Sequence, residues 1–107
     1  MFGAVRLRKL GERHGQADTW DSLGYIRHRL GQHPQAKDCY QQALDLYRET
    51  GDRLGAAQTL NRLGDTHQAS GDPAAARLAW KNALTILDDL NHQDTAAVRR
   101  KCEPAAW

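Results

Sequence analysis

At 107 residues, 40% of them hydrophobic and 26% charged, the chain has the composition of one ordinary folded domain rather than a disordered segment. A net charge of +2 is too small to demand a nucleic acid or an anionic membrane as partner. No apolar run approaches the roughly 18 residues that a membrane span needs.

Residues 1–16 come first. Arg6 stands where a signal peptide would need an apolar stretch. Gly3 to Gly11 aligns with Ala43 to Gly51, so this segment is expected to be the end of a second helix in an incomplete leading unit. A first helix is predicted over 17–30, where Trp20, Leu23, Ile26 and Leu30 recur at helical spacing, and Gly31 follows as its left-handed cap. The next helix is predicted over 34–50. Its Pro34 lies one place later than is ideal after His33, and Gly51 closes it. The pattern then starts again with a helix over 56–70, ended by Gly71. Asp72 and Pro73 supply an N-cap and a first-turn proline for a helix over 73–90, which Asn91 closes. Thr95 to Glu103 aligns with the start of a further first helix, and Pro104 stands where Gly24 and Gly64 stood. No segment alternates with period two, so the fold class is all-α with no sheet.

The elements repeat with an offset of forty residues. Trp20 falls on Leu60, Leu23 on Leu63, Gly24 on Gly64, Gly31 on Gly71, Ala36 on Ala76, Tyr40 on Trp80, Ala43 on Ala83 and Leu44 on Leu84. The organisation is one domain over 1–107: a partial leading repeat (1–16), two whole repeats (17–56 and 57–96) and a trailing stub (97–107). The small residues at 24, 36 and 43 let the helices of a hairpin approach closely, and Tyr40 and Trp80 are expected to fill the gap between neighbouring hairpins.

Trp20-x-x-Leu23-Gly24 followed by Ala36-x-x-x-Tyr40-x-x-Ala43, and its copy from Leu60 to Ala83, resembles the signature of tetratricopeptide repeats. The resemblance implies tetratricopeptide-type antiparallel helix hairpins stacked in a short right-handed superhelix. The usual period is about 34 residues. A period of forty is similar to the extended subgroup, which includes the kinesin light chain type. The stretch from Gly51 to Gly64, with Ala83 to Leu87, Leu90 to His92 and Val98 to Lys101, resembles the C-terminal arrays of actinobacterial antibiotic-regulatory transcription factors and signal-transduction ATPases. That resemblance implies a transcriptional regulator-like, signalling context. The DNA-binding and nucleotide-switch domains of such regulators are not in this sequence.

In tetratricopeptide arrays the first helices line a concave surface that holds a protein or peptide. The positions turned away from the packed stripe are Asp18, Asp21, Tyr25, His28 and Arg29 in one unit and Gln58, Asn61, Asp65 and Gln68 in the next, with Lys101 extending the row. Asn61 is the strongest candidate: the resemblance to the extended subgroup implies that an asparagine beside the signature leucine bonds a ligand's backbone, as an amide can, as donor and acceptor at once. Polar residues on helix faces are also commonly just solvated. Asp18, Asp21 and Asp65 make this face partly acidic, which disfavours a clamp for an acidic tail.

Catalysis is not expected: there is no phosphate loop, no GxSxG and no nucleophile with a base and orienter. No metal and no cofactor is expected either. The five histidines form no HxxxH pair, and His67 occupies a position where packing is the expected role. Cys39 and Cys102 form no CxxC pair and are expected as reduced thiols in a cytoplasmic protein. The alternative partner is nucleic acid, through Arg6, Arg8, Lys9 and Arg13 at one end and Arg99, Arg100 and Lys101 at the other. Asp38, Asp45, Glu49 and Asp52 balance these clusters.

Repeat arrays need about three units for stability. Two units and two halves leave Phe2, Val5, Leu7 and Leu10 with no first helix to cover them. Two expectations follow: self-association as a homodimer through these ends, by exchange of a helix between chains, or a missing neighbour within a longer protein.

Overall fold

The computed structural model describes the backbone of residues 2–103 and the side chains of residue 9 and residues 11–103. Five helices follow one another: α1 (Phe2–Arg29), α2 (His33–Thr50), α3 (Arg53–Ala69), α4 (Pro73–Asp89) and α5 (Thr95–Cys102). Helix α1 pairs with α2 and α3 with α4. The hairpins stack through α2 on α3, and α5 adds to α4. The molecule is elongated, 61 × 32 × 17 Å.

Each turn is built from the residues its sequence supplies. Gly31, Gly51 and Gly71 take φ values of 75°, 73° and 85°, and Asn91 takes 51°, so all four stops lie in the left-handed region that L side chains disfavour. Asp52 and Asp72 start the next helices. The Asp52 carboxylate accepts the Gly55 N–H at 2.8 Å, and that of Asp72 accepts the Ala75 N–H at 3.1 Å. Helix α2 lacks this device. Gln32 makes no side-chain cap, and its Oε1 instead accepts from Arg27 at 2.6 Å. The Asp52 cap begins α3 three residues ahead of the expected start at 56.

The hairpins close where small residues meet rings. A Cβ on Gly24 would lie 2.7 Å from the Tyr40 ring, and one on Gly64 would overlap the Trp80 indole. Both rings therefore fill a close approach inside their own hairpin, and the Trp80 ring also faces Lys101 of the helix that follows. Tyr47, packed on Gly55, joins the two hairpins, and Leu60 and Leu63 are buried in the same core. Ala36, Ala43, Ala76 and Ala83 are fully buried, and Leu44, Leu87 and Val98 complete the core. Burying one such leucine contributes about 1.5–3 kcal/mol.

Two expectations are corrected at the start of the chain. No turn interrupts α1 at Gly11: one helix of 28 residues runs through Gly11 and Gly15. Gly51 is followed by Asp52, which caps a new helix, but Gly11 is followed by Glu12, a good helix former and a poor cap. With no cap to begin a second helix, the first continues. The stripe Trp20, Ile26 and Leu30 is not core either. All three are exposed, because among the described residues no helix precedes α1 to cover them. Phe2, Val5, Leu7 and Leu10 lie outside the described side chains.

Candidate functional site

The first helices α1 and α3 touch along a polar seam. His14 Nε2 lies 2.7 Å from Asp52 Oδ2, Thr59 Oγ1 donates to Asp21 at 3.1 Å, and His28 Nδ1 lies 2.9 Å from Thr66 Oγ1. The three contacts recur every seven residues on both segments, 14, 21 and 28 against 52, 59 and 66. Seven residues are two helical turns, so one edge of α1 meets one edge of α3 at regular steps. Arg62 adds an ion pair to Asp21, and the Tyr47 hydroxyl donates to Asp18 from α2.

The seam shifts the protonation of several of its members, through burial and through the bonds they make. Burial pushes the Asp21 carboxyl up, against the opposing pull of Arg62 and Thr59. The bond to Asp52 raises His14, burial opposes that, and Asp18 adds to it. Burial also acts on Asp52, but the Gly55 N–H and His14 outweigh it and hold this carboxyl below the usual range. Burial first, then the bond to Asp18, raises the Tyr47 phenol.

A second cluster joins α3, α4 and α5. Lys101 Nζ donates to Asn61 Oδ1 at 2.8 Å and to Asp65 at 3.0 Å. Trp80 Nε1 donates to the Asn61 carbonyl and to Asp65, both at 3.2 Å, and the Lys101 ammonium lies 5.9 Å from the indole centroid. The ammonium thus ties the stub helix to the second repeat by charge, hydrogen bond and ring face.

The ten expected groove residues therefore divide. Asn61, Asp65 and Lys101 are brought together. Asp21 is 8% exposed and held by Thr59 and Arg62, so it is a packing residue of the seam and not part of an open face. Its short side chain points between the helices because α3 lies directly alongside. Asp18 and His28 belong to the same seam. Tyr25, Arg29, Gln58 and Gln68 are exposed, with the Arg29 guanidinium 5.9 Å from the Tyr25 ring.

Two ion pairs went unread in the sequence. Arg13 meets Glu49 at 2.5 Å and Arg53 meets Asp89 at 2.9 Å, each joining the two helices of a pair. They are one contact repeated at the forty-residue offset, and aligning charges as well as apolar residues would have found them. Of the basic clusters, Arg13, Arg99 and Lys101 each pair with an acid, Arg99 with Asp88 at 3.5 Å. His67 is packed as expected: its Nδ1 is buried with no hydrogen-bond partner among the described residues, and burial lowers its pKa. Cys39 is buried, which raises its thiol, and Cys102 packs against the core. No helix among the described residues is long and apolar enough to cross a membrane.

Paired helices, capped by glycine and aspartate, joined ring to glycine and repeated at a fixed offset, define a repeat architecture. The tetratricopeptide repeat family matches residues 15–89. The chain is a tetratricopeptide repeat protein. No curated protein and no solved structure matches it. Tetratricopeptide repeats generally mediate protein–protein interactions on a non-catalytic scaffold. In this tetratricopeptide protein the matched span covers α2, α3 and α4 whole and begins at Gly15, midway along α1.

Proposed function

We propose that this chain is a protein-binding scaffold that holds a peptide or partner segment along the exposed side of α1 and α3. The seam carries the reading. By spending Asp21, His28, Thr59 and Thr66 on each other, the two first helices are fixed in register, which holds Tyr25, Arg29, Gln58 and Gln68 at set spacings in water. Asn61, anchored through its oxygen by Lys101, would present its amide N–H to a ligand backbone. Preset side chains lose little freedom on binding, which favours recognition of an extended segment. The resemblance to actinobacterial regulators supports a cytoplasmic, signalling setting for that partner. Self-association is a second use of the array, on the outer face of α1 and away from this row.

The test is selection of peptides from a random displayed library against the purified chain. Binding of the selected peptides should fall about tenfold on Gln58→Ala or Asn61→Ala, the loss of one or two hydrogen bonds. It should be unchanged by Leu78→Asp on the exposed side of α4. Peptides that ignore both groove substitutions would remove the reading. A duplex DNA probe that binds with a steep loss on added salt would favour nucleic acid instead.

A further inference from the structure

Where α2 turns into α3, the end of α4 leaves a hollow of about 220 Å³. Tyr47, Ala56, Leu60 and Ile86 give it apolar walls, and the exposed Arg48 and Arg53 stand at its rim. The hollow is smaller than the roughly 300–1,000 Å³ of pockets that enclose a whole small ligand. It exceeds the roughly 150 Å³ of an engineered cavity that holds a benzene ring. Its size suits one aromatic side chain. Gln58, two residues past Ala56, lies about half a turn away around α3, so the hollow and the polar row are on opposite sides of that helix.

The charges around the hollow are unequally committed. Asp52 spends one carboxylate oxygen on the Gly55 N–H at 2.8 Å and the other on His14 at 2.7 Å. Arg53 is held by Asp89 at 2.9 Å, Glu49 by Arg13, and Asp45 accepts from Gln41. Arg48 forms no ion pair among the described residues, so its guanidinium is the charge left to meet an anion. Forty residues on, Asp88 and Gln93 stand at the positions of Arg48 and Arg53, so the next junction lacks this basic rim.

We infer that this hollow is a second docking point, which takes an aromatic side chain of a partner protein's segment with a carboxylate beside it. The ring leaves water for the apolar walls, and the carboxylate accepts from the Arg48 guanidinium in a charge-assisted pair. Both contacts form only with a segment that carries both groups, which sets acidic aromatic segments apart from merely apolar ones. The site goes beyond the row on the other side of α3 and does not depend on it.

The probe is a capped peptide, acetyl-Gly-Gly-Phe-Asp-Gly-Gly-amide, titrated into the full chain while its backbone amide NMR signals are followed. Those of Arg48, Gly51 and Ala56 should move with a dissociation constant on the order of 1 mM, as one buried ring and one charged hydrogen bond allow. Alanine for the probe's phenylalanine, or asparagine for its aspartate, should weaken binding about tenfold. Arg48→Glu should do the same, and a probe with lysine in place of aspartate should regain affinity for that variant. Arg77→Glu, the same charge change on an exposed part of α4 away from the hollow, should change nothing. Arg48 is exposed, so its variant should fold, which circular dichroism checks. Ile86→Trp fills the hollow from its wall and should abolish binding. No movement of these signals at about 10 mM probe overturns the site. Equal affinity for the aspartate and asparagine probes overturns the acidic partner. Free phenylpropionate binding about a hundredfold more tightly than the peptide would mark a small-molecule pocket and overturn the protein partner.

Discussion

Helices α1 and α3 carry the same pattern and meet different fates. Trp20 is 36% exposed while its counterpart Leu60 is 6% exposed, and Leu23 is half-buried where Leu63 is 8% exposed. Gly15 faces open space while Gly55 is wedged beneath a tyrosine ring. Nothing within the two segments accounts for this. The difference is the helix before each of them: α2 precedes and covers α3, and no described helix does so for α1. Burial in a repeat array is a property of the neighbour, since each unit's apolar face is completed by the next. Identical substitutions at equivalent positions should therefore have unequal costs, and the inequality measures what a neighbour contributes.

The largest inequality is expected for leucine truncation. Leu63→Ala removes side-chain volume from a packed interface and should cost about 2–4 kcal/mol, whereas Leu23→Ala should cost below about 1 kcal/mol. Urea midpoints of dilute protein measure both. Equal costs would mean that α1 is covered in solution. The next inequality is one of sign. Gly55→Ala forces its new methyl against Tyr47 and the Asp52 carboxylate and should destabilise by about 1–3 kcal/mol. Gly15→Ala meets nothing in the single chain and should stabilise by about 0.5–1 kcal/mol, the ordinary advantage of alanine within a helix. Thermal melts of the two variants should move in opposite directions.

The two tethers of α3 differ less. Asp21 is buried and paired with Arg62, so Arg62→Ala strands a carboxylate in a dry seam. Since Arg62 itself is half in water, the cost should be about 2 kcal/mol, below the roughly 3–5 kcal/mol of a fully buried pair. Lys101 and Asp65 are both partly exposed, and Lys101→Ala should cost about 1 kcal/mol or less. A double-mutant cycle on each pair separates the interaction from the truncation.

Much of the fold was legible because periodicity and caps are local. Gly31, Gly51, Gly71 and Asn91 stop helices through backbone conformation alone, and the forty-residue offset located both hairpins. The continuity of α1 was missed because glycine permits a stop without requiring one. What decides is the residue after it, Glu12 in one place and Asp52 in the other. Tyr40 and Trp80 were identified as filling residues, but their close fit against Gly24 and Gly64 of the same hairpin was not read, since sequence spacing does not say which side of a helix its neighbour occupies. For the candidate face, the polar positions of the first helices were readable, but their division was not. Asp21 and Tyr25 look alike as polar positions on one helix. Asp21 lies against α3 and Tyr25 does not, a distinction created by packing between units forty residues apart. The seven-residue steps of the seam were present in His14, Asp21 and His28 but stand out only once Asp52, Thr59 and Thr66 are set beside them.

The smallest effect separates the two junctions by acidity. At the α1–α3 seam His14 meets Asp52. One junction further on, the same positions hold Leu54 and His92, so no such pair exists there. His14 has a raised folded pKa, so its contribution is complete below its unfolded value of 6.5 and is lost as pH rises through the folded value. Asp52 has a lowered one, so its contribution is present above 3.8 and is lost as pH falls through the folded value. Both therefore act between about pH 4 and 6.5, and the His14 part fades above that. His67, lowered by burial, has the opposite sign: its penalty is present at low pH and is relieved as pH rises through the folded value to 6.5, so the wild-type curve alone mixes the two. Comparison with His14→Asn isolates the seam. The melting temperature difference between wild type and variant should be largest near pH 6 and shrink towards pH 8. It should stay below about 4 °C, the lower bound of what 1 kcal/mol produces in a domain of this size, because His14 is nearly half exposed. A difference that grows with pH instead would mean that His14 sits neutral in the seam, and that α1 is held to α3 by Asp21 and His28 alone.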